Sequence, residues 1–229
     1  MARSHVWHGR VGWHSGTVTT TQSVSTASGL AEVALDRPKG RARALLALGH
    51  GAGGGVNAVD LVAVRDAAVG LGFIVARVTQ PYRVAGRRSP APAAALDTAF
   101  TAAVEHVRGD VGPRLPVVVG GRSAGARVAC RTARALGAVG VLALAFPLHP
   151  PGRPDRSRAS ELDPDVRTLV INGDADPFGV PLPMGRVEVE ICAGERHDLR
   201  RDPLHVAAIA AAWLRDLPGI TSLKMTNPA

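Results

Sequence analysis

The stretch PVVVGGRSAGARVACRTARAL, residues 116–136, decides the fold of this chain. A run of valines leads into two glycines, and an alanine-rich segment follows Ser123. A short apolar run bounded by glycine is typical of a strand that is buried on both faces. The sequence Gly121-Arg-Ser123-Ala-Gly125 matches the G-x-S-x-G pattern, in which a nucleophilic serine sits on a sharp strand-to-helix turn. The stretch therefore predicts a strand, a tight turn with Ser123 at its tip, and a helix.

The chemistry of this pattern explains its residue types. A serine on so tight a turn needs glycine on both sides, because side chains there would clash with the neighbouring strand and helix. The turn also places the hydroxyl at a helix N-terminus, where the helix dipole favours a developing negative charge. In a chain with 26 glycines the five residues alone are weak evidence, so the flanking segments carry the prediction. The competing interpretation is a glycine-rich turn in which Ser123 only caps the helix.

Strand and helix segments alternate through most of the chain. Apolar runs predict strands at ALLALGH (44–50), FIVARVTQ (73–80), GVLALAFP (140–147), TLVINGD (168–174) and VEVEICAG (187–194), with further helices near 57–71, 92–108 and 203–217. This order predicts the α/β class, with a mostly parallel twisted sheet and helices on both faces. Alternating Val/Thr and Val/Leu patterns over residues 17–37 predict a leading antiparallel hairpin.

The 229 residues suit one α/β domain, which we place at residues 17–217. Residues 1–16 are predicted to be a flexible tail, and residues 218–229 a second tail. No secretory signal and no bilayer-spanning apolar stretch is found, so we expect a cytoplasmic location and no membrane partner. The two cysteines, Cys130 and Cys192, have neither metal-ligand spacing nor a disulfide framework, so buried reduced thiols are expected.

The net charge of +8 raises the question of nucleic-acid binding. The arginines are scattered, with no Lys/Arg run and no interleaved aromatic residues. We therefore interpret them as a solvated surface and expect no nucleic-acid partner.

The candidate acid and base follow the last two strands. A serine hydroxyl is a poor nucleophile without a base, and functional groups collect at the carboxyl ends of parallel strands. AGERHDL supplies His197, and NGDADPFG supplies Asp176. Asp174 competes with Asp176 for the role of acid, while Asp198 is disfavoured because it adjoins the histidine. We predict Ser123, Asp176 and His197 as the catalytic residues.

Acyl transfer also needs N–H donors for the oxyanion. One donor is predicted to be the backbone N–H of Ala124. The other is expected from the loop GHGAGGG, residues 49–55, where we assign it to Ala52, with Gly53 close behind. This loop lacks the G-K-[ST] of a phosphate-binding loop and the spacing of a dinucleotide-binding loop, which disfavours a nucleotide site. No cofactor and no metal are expected.

Two more loops, QPYRVAGRR (80–88) and FPLHPPGRP (146–154), are expected at the same edge of the sheet. The predicted substrate-binding residues are Gly51, Gly53, Tyr82, Arg87, Arg88, Arg122 and His149, with Arg83 and Arg153 nearby. So many cationic groups would suit a substrate that carries a carboxylate or a phosphate. The competing interpretation is that the guanidinium groups hold loop carbonyls in place.

Taken in order, the blocks LGHGAGGG, QPYRVAGRR, GGRSAGARVA, LAFPLHPPGRP, GDADPFG and RHDL resemble the small α/β-hydrolases grouped with testis-expressed protein 30, near the dienelactone-hydrolase-like families. The resemblance implies an α/β-hydrolase fold without a lid domain, with Ser123 as nucleophile, Asp176 as acid and His197 as base. The dienelactone hydrolases themselves have cysteine at the elbow, so their substrate is not carried over. Relatives often read GERDPFG where this chain has GDADPFG, and Asp174 is an alternative acid for that reason.

The sequence thus predicts a serine hydrolase that cleaves a small ester, lactone or thioester through an acyl-enzyme. The expected partner is a small-molecule acyl substrate, and the oligomeric state stays open. The alternatives are a non-catalytic binding or scaffold protein that keeps the hydrolase fold, and an acyltransferase.

Overall fold

Strands and helices alternate along the part of the chain that the computed structural model describes, residues 11–14, 17–163 and 165–220. The strands are β1 Val11–His14, β2 Thr17–Thr26, β3 Gly29–Asp36, β4 Ala44–Gly49, β5 Phe73–Thr79, β6 Val117–Arg122, β7 Gly140–Leu144, β8 Thr168–Gly173 and β9 Val187–Cys192. The helices are α1 Val59–Gly70, α2 Pro81–Val84, α3 Ala93–Val111, α4 Ala124–Thr132 and α5 Pro203–Arg215, with a 3-10 turn at Ala159–Glu161. The predicted alternation is confirmed.

One sheet holds these strands, in the order β1-β2-β3-β5-β4-β6-β7-β8-β9. Neighbours from β5 to β9 are parallel, whereas β1, β2 and β3 run antiparallel at one edge. In the centre β4 pairs with β6, and Gly49 lies opposite Gly121. Chain order reverses at β4, so the loops that follow β4 and β6 open at the same edge, where α/β sheets form their ligand sites.

Helices cover both faces of the sheet, and β4 shows why its sequence is a continuous apolar run. Leu45 packs into the core beneath α3 and α4, and Leu46 packs into the core beneath α1 and α5. Successive strand residues point to opposite faces, so a strand covered on both faces needs apolar residues at every position.

A buried ion-pair network joins the antiparallel edge to the loop after β4. The carboxylate of Asp36 accepts hydrogen bonds from Arg65 and Arg77, each at 3.0 Å. Arg77 also donates to the Val56 carbonyl at 3.0 Å and to Asn57 Oδ1 at 2.6 Å. The network fixes the end of the glycine-rich loop where α1 begins.

The structure changes some of the predicted boundaries. Residues 11–14, expected in a tail, form β1 and pair with β2, so the tail prediction is wrong for those four residues. Ile220, expected in the C-terminal tail, is buried in the core beneath α1 and α5. Residues 1–10, 15–16 and 221–229 lie outside the described residues.

The leading hairpin is confirmed as β2 and β3. Both cysteines are buried and unpaired, as expected. Among the described residues, no helix combines the length and apolar character that crossing a membrane requires.

Candidate active site

Ser123 sits on a strained turn between β6 and α4. Its φ of 54° and ψ of −112° lie in a region that residues with a side chain rarely adopt. The Ser123 N–H donates to the Leu144 carbonyl at 2.9 Å, which ties the turn to β7. Such strain costs about 1–3 kcal/mol and persists only where the surrounding structure enforces it.

The glycines around Ser123 are required by close backbone contacts. A Cβ added at Gly125 would lie 2.3 Å from the Gly49 oxygen, and one at Gly121 would lie 2.5 Å from the same atom. The first turn of α4 therefore rests directly on the end of β4. Both glycines of the G-x-S-x-G pattern have a steric reason.

Three side chains from three loops meet at the carboxyl edge of the sheet. His197 Nε2 lies 2.9 Å from Ser123 Oγ, and His197 Nδ1 lies 2.8 Å from Asp176 Oδ2. The Asp176 side chain is fully buried, and that of His197 is 18% exposed. The ring of Phe178 stacks on the His197 ring with centroids 4.0 Å apart. In this arrangement the carboxylate accepts a hydrogen bond from the Nδ1 N–H, which leaves Nε2 free to accept the serine proton.

The two competing carboxylates lie apart from this contact. Asp174 continues β8, since its N–H donates to the Cys192 carbonyl at 3.3 Å, and its Oδ1 accepts the Gly194 N–H at 2.7 Å. Asp198 lies 3.7 Å from the Arg200 guanidinium. The structure thus brings Asp176, rather than Asp174 or Asp198, to the histidine.

Asn172, which the sequence analysis did not single out, positions Asp176. It is fully buried at the end of β8. Its Oδ1 accepts the Phe146 N–H at 2.8 Å, and its Nδ2 lies 3.1 Å from the Phe146 oxygen, 3.2 Å from the Gly179 oxygen and 3.4 Å from Asp176 Oδ2. The available signal was a polar residue at the end of the apolar run TLVIN.

Glu195 braces the loop that carries His197. Its side chain is buried and accepts the backbone N–H groups of Arg201 at 3.3 Å and Asp202 at 2.5 Å. Its backbone oxygen accepts the Ala175 N–H at 3.0 Å, which joins this loop to the one that carries Asp176. Histidine and acid are therefore held by connected backbone contacts.

Arg122 binds the backbone of His197 and does not line the pocket of Ser123, in contrast to its predicted substrate-binding role. Its Nη2 donates to the His197 carbonyl at 3.1 Å, and its Nε lies 3.1 Å from Asp60 Oδ2. Neither Asp60 oxygen accepts a well-aligned hydrogen bond. Burial raises the pKa of Asp60 to about 6, while the charge of Arg122 acts in the opposite direction. Asp60 is thus the least well-paired carboxylate near the site.

The two expected oxyanion donors, Ala52 and Ala124, line the same pocket as Ser123. Ala124 is the first residue of α4, so its N–H has no carbonyl partner within the helix. Ala52 lies in a turn that closes with the Gly54 N–H on the Gly51 oxygen at 3.1 Å. That hydrogen bond does not use the Ala52 N–H, and no partner for this N–H is found in the part of the chain that the structure describes.

Two buried side chains hold this turn. His50 Nε2 accepts the Gln80 N–H at 3.1 Å, so its Nδ1 carries the proton and donates to the Gly51 oxygen at 2.8 Å. Burial lowers the pKa of His50, which favours this neutral form. The Tyr82 hydroxyl donates to the Ala52 oxygen at 2.9 Å, so Tyr82 supports the loop of residues 49–55, which is the expected oxyanion loop, and does not line the pocket of Ser123.

The pocket at Ser123 has a volume of about 250 Å³. Its lining is Ala52, Pro90, Ala91, Ala93, Leu96, Ser123, Ala124, Arg127, Arg131, Pro147, Arg158 and Phe178. The three arginines of this lining differ from the predicted ones, which came from the loops after β5 and β7 and, in the case of Arg122, from the end of β6. Arg127, Arg131 and Arg158 were not predicted from the sequence.

The remaining predicted substrate-binding residues are spread over several places, and of these Gly51 lies beside Ser123. Arg87 lines a separate pocket of about 570 Å³ beside β3, and Arg88 is exposed. The His149 ring packs against Gly179, where an added Cβ would lie 2.4 Å from Nε2. Gly51 is buried beside Ser123, since an added Cβ there would lie 3.6 Å from Ser123 Cβ, whereas Gly53 is exposed outside the lining of the Ser123 pocket. Within the described ranges, no group of three or more metal-ligating side chains is found.

Comparison with known proteins gives the family of this chain. Residues 42–202 match the model of the family described as the alpha/beta hydrolase domain. The match spans well over half of the chain, so the protein belongs to the α/β-hydrolase family and is an esterase-like hydrolase. No curated protein sequence matches the chain.

Solved structures share the fold. A serine hydrolase without a lid from Xanthomonas campestris has a TM-score of 0.72 at 20% identity, over 87% of this chain and 95% of that one. A dienelactone hydrolase from Anabaena variabilis has a TM-score of 0.70 at 20% identity, over 88% and 98%. A thermostable carboxyl esterase from Bacillus coagulans has a TM-score of 0.70 at 12% identity, over 87% and 98%. The α/β-hydrolase fold expected from the sequence is confirmed.

Proposed function

We propose that this protein is a serine hydrolase that cleaves a small ester, lactone or thioester through an acyl-enzyme. Ser123 Oγ attacks the carbonyl carbon as His197 Nε2 accepts its proton. Asp176 accepts a hydrogen bond from the Nδ1 N–H and stabilises the imidazolium that forms. The N–H groups of Ala52 and Ala124 bind the oxyanion. His197 then returns the proton to the leaving group, and water attacks the acyl-enzyme by the same route.

The observation that carries this proposal is the continuous contact from carboxylate to hydroxyl, with Asp176 and Ser123 at 2.8 and 2.9 Å from opposite nitrogens of His197. A scaffold protein would have no need of a strained serine whose hydroxyl meets a histidine already oriented by an acid. The pocket of about 250 Å³ has the volume of roughly eight liquid water molecules. This size favours short acyl groups.

The narrower relation to the group of testis-expressed protein 30 belongs to the same proposal. It rests on the ordered motif blocks, from LGHGAGGG to RHDL.

Labelling with a fluorophosphonate probe tests the proposal, because the probe reacts with activated serines. We expect the wild type to label, and Ser123→Ala and His197→Ala to lose labelling while keeping the wild-type circular dichroism spectrum. Ser89→Ala, which removes an exposed hydroxyl, is the matched control and should label like the wild type. If the folded wild type does not label, the hydrolase proposal is wrong and the interpretation as a non-catalytic scaffold protein is favoured. An acyltransferase would label, but it would pass the acyl group to an added alcohol or amine in preference to water.

A further inference from the structure

The three charged side chains that line the pocket of Ser123 are all arginines. Arg127 and Arg131 extend from α4, and Arg158 comes from the stretch before the 3-10 turn. Aspartate and glutamate are absent from the lining. We propose that this pocket selects acyl groups that end in a carboxylate, so that the substrate is the half-ester or half-thioester of a short dicarboxylic acid, with Arg158 binding the free carboxylate. This inference rests on the proposed function.

Two of the arginines are neutralised from outside the lining. Arg127 forms a two-point ion pair with Glu161, with Nε 2.8 Å from Oε2. Arg131 binds Asp97 through two nitrogens, at 2.6 and 2.8 Å, and Glu161 through a third at 3.0 Å. Burial acts to raise the pKa of Glu161, but the hydrogen bonds and charges of the two arginines outweigh it and lower that pKa. Glu161 thus pairs with both Arg127 and Arg131, and Asp97 pairs with Arg131, so two carboxylates face these two guanidinium groups.

Arg158 has the charge that is left over. Within the described part of the chain, its guanidinium makes one hydrogen bond, from Nη1 to the Pro147 oxygen at 3.1 Å. An arginine side chain has five N–H donors, so most of those on Arg158 are available. Burial, followed by the positive charge of Arg127, lowers its pKa, while the charge of Glu161 acts in the opposite direction. A half-buried cation with few hydrogen-bond partners is costly, and a bound anion removes that cost.

The geometry suits a carboxylate in particular. A guanidinium binds a carboxylate through two parallel N–H bonds, which fixes the orientation of the ligand as well as its charge. A carboxylate held by Arg158 would extend its acyl chain across the small pocket towards Ser123. The competing explanation is that Arg158 only fastens the loop at Pro147, which a single neutral donor could also do.

The test compares esters that differ only in the terminal charge. Mono-4-nitrophenyl esters of glutaric, adipic and pimelic acid are measured against the neutral esters of matched shape, those of 5-methylhexanoic, 6-methylheptanoic and 7-methyloctanoic acid. Rates are corrected with Ser123→Ala, because the half-esters hydrolyse without enzyme. For the best chain length we expect the wild type to show a kcat/KM at least about tenfold higher on the half-ester, as a charged hydrogen bond provides.

Variants separate binding from loop support. Arg158→Gln keeps one donor for the Pro147 oxygen and should lower kcat/KM for the half-esters about tenfold more than for the neutral esters. Arg158→Lys keeps the charge and should restore part of the preference. Arg153→Gln is the matched control, since Arg153 is exposed on the same loop and pairs with Asp155, and it should leave the preference unchanged.

The inference is overturned if the wild type cleaves neutral esters as well as the half-esters, or if Arg158→Gln lowers both by the same factor. Those results leave the proposed hydrolase intact, because neutral esters are still cleaved and Ser123 still labels. If the wild type cleaves neither series and does not label, both proposals fail together.

Discussion

Two groups of polar side chains meet at Ser123, here called walls, and they differ in how completely their hydrogen bonds are satisfied. The His197 wall comprises Asn172, Asp176, Glu195 and His197, and the arginine wall comprises Arg127, Arg131 and Arg158. In the His197 wall the polar groups are joined to backbone groups of neighbouring loops by hydrogen bonds. In the arginine wall, like charges lie close together, and most N–H donors of Arg158 have no hydrogen-bond partner among the described residues.

The difference teaches how one pocket can separate chemistry from selection. Acid and base have to be held within a fraction of an ångström, and short backbone contacts provide that precision. Substrate choice instead needs unsatisfied groups that a ligand completes. Changes in the His197 wall should therefore lower the activity on every ester, or lower the stability of the protein. Changes in the arginine wall should instead alter which esters are preferred.

The largest expected effect is on the acid of the His197 wall. Asp176→Asn should lower kcat by about 10⁴-fold on 4-nitrophenyl acetate, because an amide cannot hold the productive histidine tautomer. Asp174→Asn is the matched control and should stay within a few-fold of wild type, since its side-chain oxygen can still accept the Gly194 N–H. A similar loss in both variants, or a loss in Asp174→Asn alone, would contradict the assignment of Asp176.

The next effect concerns the turn at which the two walls join. Gly125→Ala would place a Cβ 2.3 Å from the Gly49 oxygen, a backbone atom that cannot move aside. We expect a loss of at least about 3 kcal/mol in the free energy of unfolding, at the upper end for overpacked sites. Gly109→Ala in α3, where an added Cβ meets no atom within 4 Å, should stabilise by up to about 1 kcal/mol. Urea unfolding measures both, and equal changes would refute the steric argument.

Asp60 contacts the His197 wall through Arg122, which also binds the His197 carbonyl. Its buried carboxylate makes the free energy of unfolding depend on pH. Burial raises the pKa of Asp60 to about 6 in the folded protein, against 3.8 for an aspartate carboxyl in water. The folded state therefore binds more protons between these values, and the free energy of unfolding falls as pH rises from about 4 to 7, by about 3 kcal/mol. Asp60→Asn should lack this contribution.

The stability of Asp60→Asn relative to wild type should therefore increase with pH, as followed by urea unfolding at pH 4.5, 6 and 7.5. Any fixed cost of removing the partner of Arg122 cancels in this comparison. Asp66→Asn, on the same helix but half exposed, is the control. A difference that stays constant over this range would show that Asp60 is ionised throughout.

The smallest effect is expected at the oxyanion loop. Tyr82→Phe removes the hydrogen bond to the Ala52 oxygen and should lower kcat about three- to tenfold, as the loss of one hydrogen bond predicts. KM should stay nearly constant. A higher KM with unchanged kcat would instead favour the sequence-based interpretation of Tyr82 as a substrate-binding residue.

The sequence predicted the sheet because a strand covered on both faces has to be apolar throughout, as Leu45 and Leu46 illustrate. It did not predict β1, whose four residues are too few for an alternating pattern. It placed Ser123, Asp176 and His197 on the right edge, because strand ends and turn residues are readable signals. The choice between Asp174 and Asp176 depends on how the chain turns after β8, where the Asp176 N–H donates to the Gly173 oxygen at 3.3 Å and Asp174 binds the Gly194 N–H instead.

The arginine wall was not predictable for a different reason. Arg127 and Arg131 are four residues apart on a helix, a spacing typical of a solvated face. Their position on the pocket follows from how α4 rests on β4, which is a tertiary contact. The arginines of the loop after β5 looked equally suitable. In the structure this loop folds back on α2, where the Arg87 N–H donates to the Tyr82 oxygen at 2.8 Å, and Arg87 lines the other pocket.

Tyr82 has one more consequence, because it is the single tyrosine of the chain. Growth with 3-fluorotyrosine would give one fluorine resonance, from a ring whose hydroxyl contacts the Ala52 oxygen. That resonance would report the state of the oxyanion loop in solution, without assignment of the other signals. Exchange broadening on addition of a substrate analogue would measure how fast the loop moves when the pocket of Ser123 is occupied.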